Sequence, residues 1–142
     1  MTVDTKYWTD AYATGGGRNG LAGLGDGALT ATMASPVELG GSGKGRNPEE
    51  FFALGYAACF LGAMRFAAQN EKLGEVPDDT KVTAHVGVGP RSDGGFGIQV
   101  KLEVAMPGVE AAIAQTIVDR GHFICPYSNA TKGNIDIETT LV

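Results

Sequence analysis

The chain has 142 residues, 43% of them hydrophobic and 19% charged, with a net charge of −5 and a pI near 4.9. This length suits one domain (1–142) that buries a core without staples. The acidic balance argues against nucleic acid or an anionic membrane surface as the main partner. Residues 1–6 carry no basic stretch followed by an apolar one, so a cytoplasmic setting is expected. There, two cysteines are more often free thiols, or a redox or catalytic pair, than a structural disulfide.

In chain order, residues 6–14 (Tyr7, Trp8, Thr9, Tyr12, Thr14) have strand composition. A glycine-rich turn over 15–20 separates them from short strands at 21–24 and 28–34, a meander. Residues 35–46, with Pro36 and four glycines, form a loop. A helix then opens at Asn47-Pro48-Glu49-Glu50. Asn47 can accept a first-turn hydrogen bond, Pro48 gives up a donor that would be unpaired, and both glutamates suit the positive end of the dipole. From Phe51 to Met64 no residue is charged, so this helix is expected to be the buried axis of the domain, ending near Gly74. Arg65 interrupts the apolar run, Gly55 and Gly62 lower its bulk, and it is short of the roughly 20 residues a membrane span needs.

Beyond Pro77, residues 81–89 and 96–106 alternate apolar and polar positions, a long hairpin with one buried face. Apolar residues at helical spacing over 109–120 predict a second helix closed by Gly121. The tail from Asn134 reads as a last strand. The fold class is therefore α+β: antiparallel sheets packed around two helices.

Three motifs fail on inspection. Gly15-Gly16-Gly17-Arg18-Asn19-Gly20 fits the dinucleotide pattern, but a strand rather than a helix follows it. Gly41-Ser42-Gly43-Lys44-Gly45 lacks the Ser or Thr after the lysine, and Glu38 stands where the first glycine of a phosphate loop belongs. His122 and Cys125 could supply two metal ligands, but His85 and Cys59 lack companion spacing, so no metal is expected.

The cysteines read differently from one another. Cys59, in Ala-Ala-Cys-Phe, suits ordinary core filling. Cys125 begins a polar, turn-forming stretch from which a thiol can move. One thiol on rigid structure and one on a mobile segment is what a two-step thiol reaction requires.

Asn47-Pro48-Glu49…Gly55-Tyr56-Ala57-Ala58-Cys59-Phe60, taken with Cys125-Pro126-Tyr127-Ser128-Asn129-Ala130-Thr131-Lys132-Gly133-Asn134, resembles the OsmC/Ohr superfamily. The Tyr-Ser-Asn-Ala-Thr run is most similar to the organic hydroperoxide resistance branch. Ala13–Arg18 and Gly94–Gly97 extend the similarity over nearly the whole chain. The resemblance implies a thiol peroxidase that reduces organic (alkyl or fatty-acid) hydroperoxides and protects against oxidative stress. By the same resemblance Cys59 is peroxidatic and Cys125 resolving, Arg18 supports the thiolate, and Glu49 holds that arginine. No bound cofactor is implied. The reductant is dihydrolipoamide, carried on lipoylated proteins.

Physical chemistry asks for a cation here, since an apolar helix raises a thiol's pKa. A guanidinium can pair with a carboxylate and still point a donor at sulfur. Glu50 rivals Glu49 on these grounds; only its position beside Pro48 selects Glu49. Phe51, Phe52, Tyr56, Phe60, Met64 and Tyr127 are candidates for an apolar substrate wall, with part of the set serving the core.

Glu49 and Cys59 are ten residues apart, about 15 Å of rise along a helix and roughly 80° of rotation, too far to meet through this helix alone. The helix start bends, or Arg18 spans a long gap, or two chains contribute. The resemblance implies the last, an intertwined homodimer. Asn19 stands where the family commonly has aspartate, and Lys132 where arginine is usual. The rivals are an OsmC-type peroxidase and a non-catalytic OsmC-like protein that binds an apolar ligand or senses oxidation.

Overall fold

A computed structural model describes all 142 residues, which form two compact units, Met1–Pro48 and Glu49–Val142. The first holds an antiparallel sheet of β1 (Ala11–Thr14), β2 (Leu21–Leu24) and β3 (Thr30–Thr32), in that order, with Thr14 opposite Leu21 and Leu21 opposite Thr32. The strands are shorter than the composition predicts: aromatic and β-branched residues favour a strand only where a ladder partner exists, and residues 1–9 lie outside every strand. A single 3-10 turn, Gly17–Asn19, carries Arg18 between β1 and β2. Gly15 (φ 65°) and Gly17 (φ 61°) take the left-handed backbone this turn needs. Asn19 Oδ1 accepts a hydrogen bond from the Ser35 amide at 3.1 Å, fastening the turn to the following loop. Only Met33 and Ala34 are buried in this unit.

The second unit contains α1 (Pro48–Asn70), β4 (Lys81–Pro90), β5 (Phe96–Ala105), α2 (Ala111–Ile124), α3 (Pro126–Thr131) and β6 (Ile137–Leu141). The β4–β5 hairpin is antiparallel, from Lys81 opposite Ala105 to Pro90 opposite Phe96. β6 instead joins β5 in parallel, with Val100 opposite Ile137 and Val104 opposite Leu141. This corrects the all-antiparallel expectation. Two helices separate β5 from β6, and such a crossover returns the chain in the same direction, which a tight hairpin cannot.

The core is built from Tyr56, Phe60, Ala63, Met64 and Ala68 of α1, Val100, Leu102 and Val104 of β5, Ala114, Ile117 and Val118 of α2, and Cys125. α1 begins as its capping residues predict, but only one face is buried. Leu54 (70% exposed) and Phe66 (59%) lie on an uncovered stripe that also includes Ala58 and Gly62, at four-residue spacing. The helix ends in a left-handed turn, Lys72 at φ 53°, with the Leu73 amide bonded to the Ala68 carbonyl at 3.0 Å. Arg65 donates to the carbonyls of Val76 (3.0 Å) and Pro77 (2.8 Å), tying down the link to β4.

Gly121 does not close α2; it lies inside the helix. A Cβ there would stand 2.7 Å from Met64 Cγ and 3.4 Å from the Phe60 ring, so the glycine permits α2 to pack close against α1. The stretch after Cys125, expected as a polar turn, is the short helix α3, with Pro126 at its first position and Cys125 as its N-terminal flank.

Candidate active site

α1 presents Cys59, and the junction of α2 and α3 presents Cys125. Their sulfurs lie 3.5 Å apart, both as free thiols. Cys125 is held on both sides: its amide bonds to the Gly121 carbonyl (2.8 Å) and its carbonyl accepts from the Asn129 amide (3.0 Å). It is 0% exposed, whereas Cys59 is half-buried. The turn expected at Cys125 is instead a junction between two helices, with one backbone hydrogen bond on each side, and the thiols sit within reach of each other.

Burial is the largest influence on Cys59 and pushes its thiol up from the ordinary value. The Tyr127 backbone amide, hydrogen bonded to that sulfur, pulls the other way. The neighbouring Cys125 thiol raises it again. Within the second unit the balance of these influences raises the pKa and favours the neutral thiol.

Arg18 sits on the exposed 3-10 turn of the first unit, and Glu49 in the first turn of α1. Glu49 is half-buried and Glu50 exposed.

Of the apolar candidates, Phe51 and Phe52 are half-buried and Tyr127 is exposed at its edge. The rings of Phe52, Tyr56 and Tyr127 cluster with centroids 5.7–6.0 Å apart, just N-terminal to Cys59 on α1. Gly55 lets Tyr127 lie against α1, since a Cβ there would meet the phenol oxygen at 2.9 Å. Tyr56, Phe60 and Met64 are fully buried and fill the core. They are corrected from the substrate wall: with every face of α1 apolar, periodicity cannot tell which side turns inward.

Polar residues beside the thiols were not singled out by sequence. His122, noted there only as a possible ligand, bonds to Ser128 (3.0 Å) and Thr139 (2.8 Å), and burial holds its pKa below the ordinary value. Ser128 and Thr131 are buried on α3. The only signal was their place next to Cys125, and their turn-forming chemistry masked it.

The profile of OsmC-like proteins matches residues 41–140. The chain is 52% identical over 143 aligned residues to the organic hydroperoxide resistance protein of Xanthomonas axonopodis pv. citri, covering 99% of each. It superposes on a crystal structure of an organic hydroperoxide resistance protein from Elizabethkingia anophelis with a TM-score of 0.89, at 41% identity over 98% of each chain. The corresponding values for the Bacillus subtilis protein OhrB are a TM-score of 0.84 and 37% identity, over 96% of this chain and 98% of that one. Fold, thiol pair and full-length similarity agree: this chain belongs to the OsmC/Ohr family, on the side of the organic hydroperoxide resistance proteins.

Proposed function

We propose that this protein detoxifies organic hydroperoxides as a cysteine-based peroxidase, with residues 1–142 acting as a single OsmC/Ohr-like domain in the cytoplasm. The observation that carries the reading is the pairing of a half-buried Cys59 with a fully buried Cys125 at 3.5 Å. The accessible sulfur meets the substrate and the enclosed one waits behind it.

The Cys59 thiolate attacks the outer oxygen of the hydroperoxide. The O–O bond breaks, the inner oxygen leaves as an alkoxide that takes a proton to become the alcohol, and Cys59 becomes a sulfenic acid. The Cys125 sulfur then attacks the Cys59 sulfur, water leaves, and a Cys59–Cys125 disulfide remains. A dithiol, dihydrolipoamide carried on a lipoylated protein, reduces that disulfide by two exchange steps and is itself oxidised to the cyclic disulfide. Arg18 supplies the cation that favours the thiolate, and Glu49 orients it. Phe51, Phe52 and Tyr127 form the apolar wall that favours alkyl over hydrogen peroxide.

The working form is a homodimer with its sites at the interface. The uncovered apolar stripe of α1 and a first unit with only two buried residues support a second copy as its cover. A monomer in solution with full peroxidase activity would sink this assignment.

The test is a thiol count before and after one equivalent of cumene hydroperoxide, on the wild type, Cys59→Ser and Cys125→Ser. The wild type is expected to lose both thiols to an intramolecular disulfide that dihydrolipoamide reopens, while Cys59→Ser keeps its remaining thiol. Survival of both wild-type thiols would overturn the reading in favour of an apolar-ligand-binding protein.

A further inference from the structure

A chain of polar groups, buried at Tyr56, Ser128 and Thr131 and partly buried at His122 and Thr139, adjoins the two thiols, and the reaction steps leave it unused. Its members come from four elements: Tyr56 on α1, His122 on α2, Ser128 and Thr131 on α3, and Thr139 on β6. The Tyr56 hydroxyl lies 2.9 Å from Ser128 Oγ and 3.5 Å from Thr131 Oγ1. Ser128 Oγ lies 3.0 Å from His122 Nδ1, and His122 Nε2 lies 2.8 Å from Thr139 Oγ1. Thr131 donates back to the Tyr127 carbonyl at 2.9 Å.

One neutral histidine satisfies the whole sequence. Tyr56 donates to Ser128, Ser128 donates to Nδ1, and the Nε2 hydrogen goes to Thr139. Burial favours that neutral form. Polar groups enclosed this way cost stability unless every one is paired, and a fully paired set fixes one arrangement of the elements it joins.

The elements joined here are the ones that carry the sulfurs. Tyr56 is three residues before Cys59 on α1, and Ser128 three residues after Cys125 on α3. Ser128 also directly follows Tyr127, whose amide is bonded to the Cys59 sulfur. A slide of α3 along α1 would therefore change the sulfur–sulfur approach and disturb the bond from that amide to Cys59.

We propose that Tyr56, Ser128 and His122 are positioning residues whose hydrogen-bonded chain clamps the start of α3 onto α1 and so sets the approach of the Cys125 thiol to the Cys59 sulfur. The proposal rests on the reading of the cysteines as a reacting pair, but not on any peroxide.

Exchange with the aromatic disulfide dithiobis(nitrobenzoate) tests it. The Cys59 thiolate attacks the reagent, one thionitrobenzoate leaves, and a mixed disulfide forms on Cys59. The Cys125 thiol then loses its proton to solvent and attacks the Cys59 sulfur. The second thionitrobenzoate leaves as the Cys59–Cys125 disulfide closes. The second release reports the positioning of Cys125 directly.

Two releases per wild-type chain are expected. Tyr56→Phe, Ser128→Ala and His122→Phe are each expected to slow the second by about tenfold, the worth of one net hydrogen bond. His122→Gln, which keeps a donor and an acceptor, should recover most of that loss. Tyr56→Phe removes a single oxygen and keeps the ring, so it decides the matter should another variant fail to fold. A second release within about twofold of wild type in a folded Tyr56→Phe, even with a lowered melting temperature, would overturn the proposal. A single release from the wild type would do the same. Two wild-type releases in a protein whose thiols ignore cumene hydroperoxide would instead sink the peroxidase reading and leave the clamp standing.

Discussion

Cys125 Sγ lies 3.5 Å from Cys59 Sγ across 66 residues of sequence, and the two differ sharply in access: one is enclosed, the other half-open. Only about 1.5 Å separates that gap from a covalent S–S bond, so closure asks for side-chain rotation more than for movement of a loop.

That difference in access sets the order of labelling. Under native conditions iodoacetamide is expected to modify Cys59 and spare Cys125, with Cys125 becoming reactive only in denaturant. Peptide mass spectrometry of both digests reads this directly; native modification of Cys125 at a comparable rate would contradict the burial described here.

Burial pushes the Cys59 thiol up, with the Cys125 thiol adding to it and the Tyr127 amide opposing. If Arg18 is the compensating cation, Arg18→Ala moves the pH midpoint of Cys59 alkylation upward. Each pH unit by which the midpoint rises removes about 1.4 kcal/mol of thiolate stabilisation, so reactivity with an alkyl hydroperoxide at neutral pH falls about tenfold. An unmoved alkylation midpoint in the variant would remove Arg18 from its assigned role.

Gly121→Ala places a methyl 2.7 Å from Met64 Cγ and 3.4 Å from the Phe60 ring. Overpacking of this kind costs about 1–3 kcal/mol, offset in part by alanine's better helix propensity of about 1 kcal/mol. A net loss of about 1 kcal/mol in urea unfolding is the expected result. Unchanged or raised stability would show that Met64 yields more readily than the packing suggests.

His122 carries a depressed pKa, chiefly because burial disfavours its charged form, with Asp119 opposing weakly. The unfolded chain thus holds more protons than the folded one as pH falls through the histidine range. The stability this group contributes is complete above the ordinary histidine value of 6.5 and is lost as pH falls through the lower folded value. Denaturation midpoints from pH 7.5 down to about pH 5 should therefore fall in the wild type and flatten in His122→Gln.

Much of this architecture was legible in the residues. The Asn-Pro-Glu-Glu opening marks the start of α1, and the alternation over 81–106 places the β4–β5 hairpin within a residue at each end. α3 was not legible, because Ser128, Asn129 and Thr131 favour turns in isolation and six residues show no period. Its polar side chains find partners outside it, Ser128 at Tyr56 and His122 and Thr131 at Tyr56. The parallel pairing of β6 escaped notice because periodicity gives the face of a strand, never its neighbour. The thiols stood out by chemistry, whereas Tyr56, Phe60 and Met64 could not be sorted between core and substrate wall on a helix apolar all round.

The scarcity of buried residues in Met1–Pro48 has a consequence for how the protein is made. This segment is synthesised before α1, yet a three-stranded unit in which only Met33 and Ala34 are buried has little to hold it together in isolation. A nascent chain that carries Arg18 but ends before α1 is therefore expected to be prey for proteases.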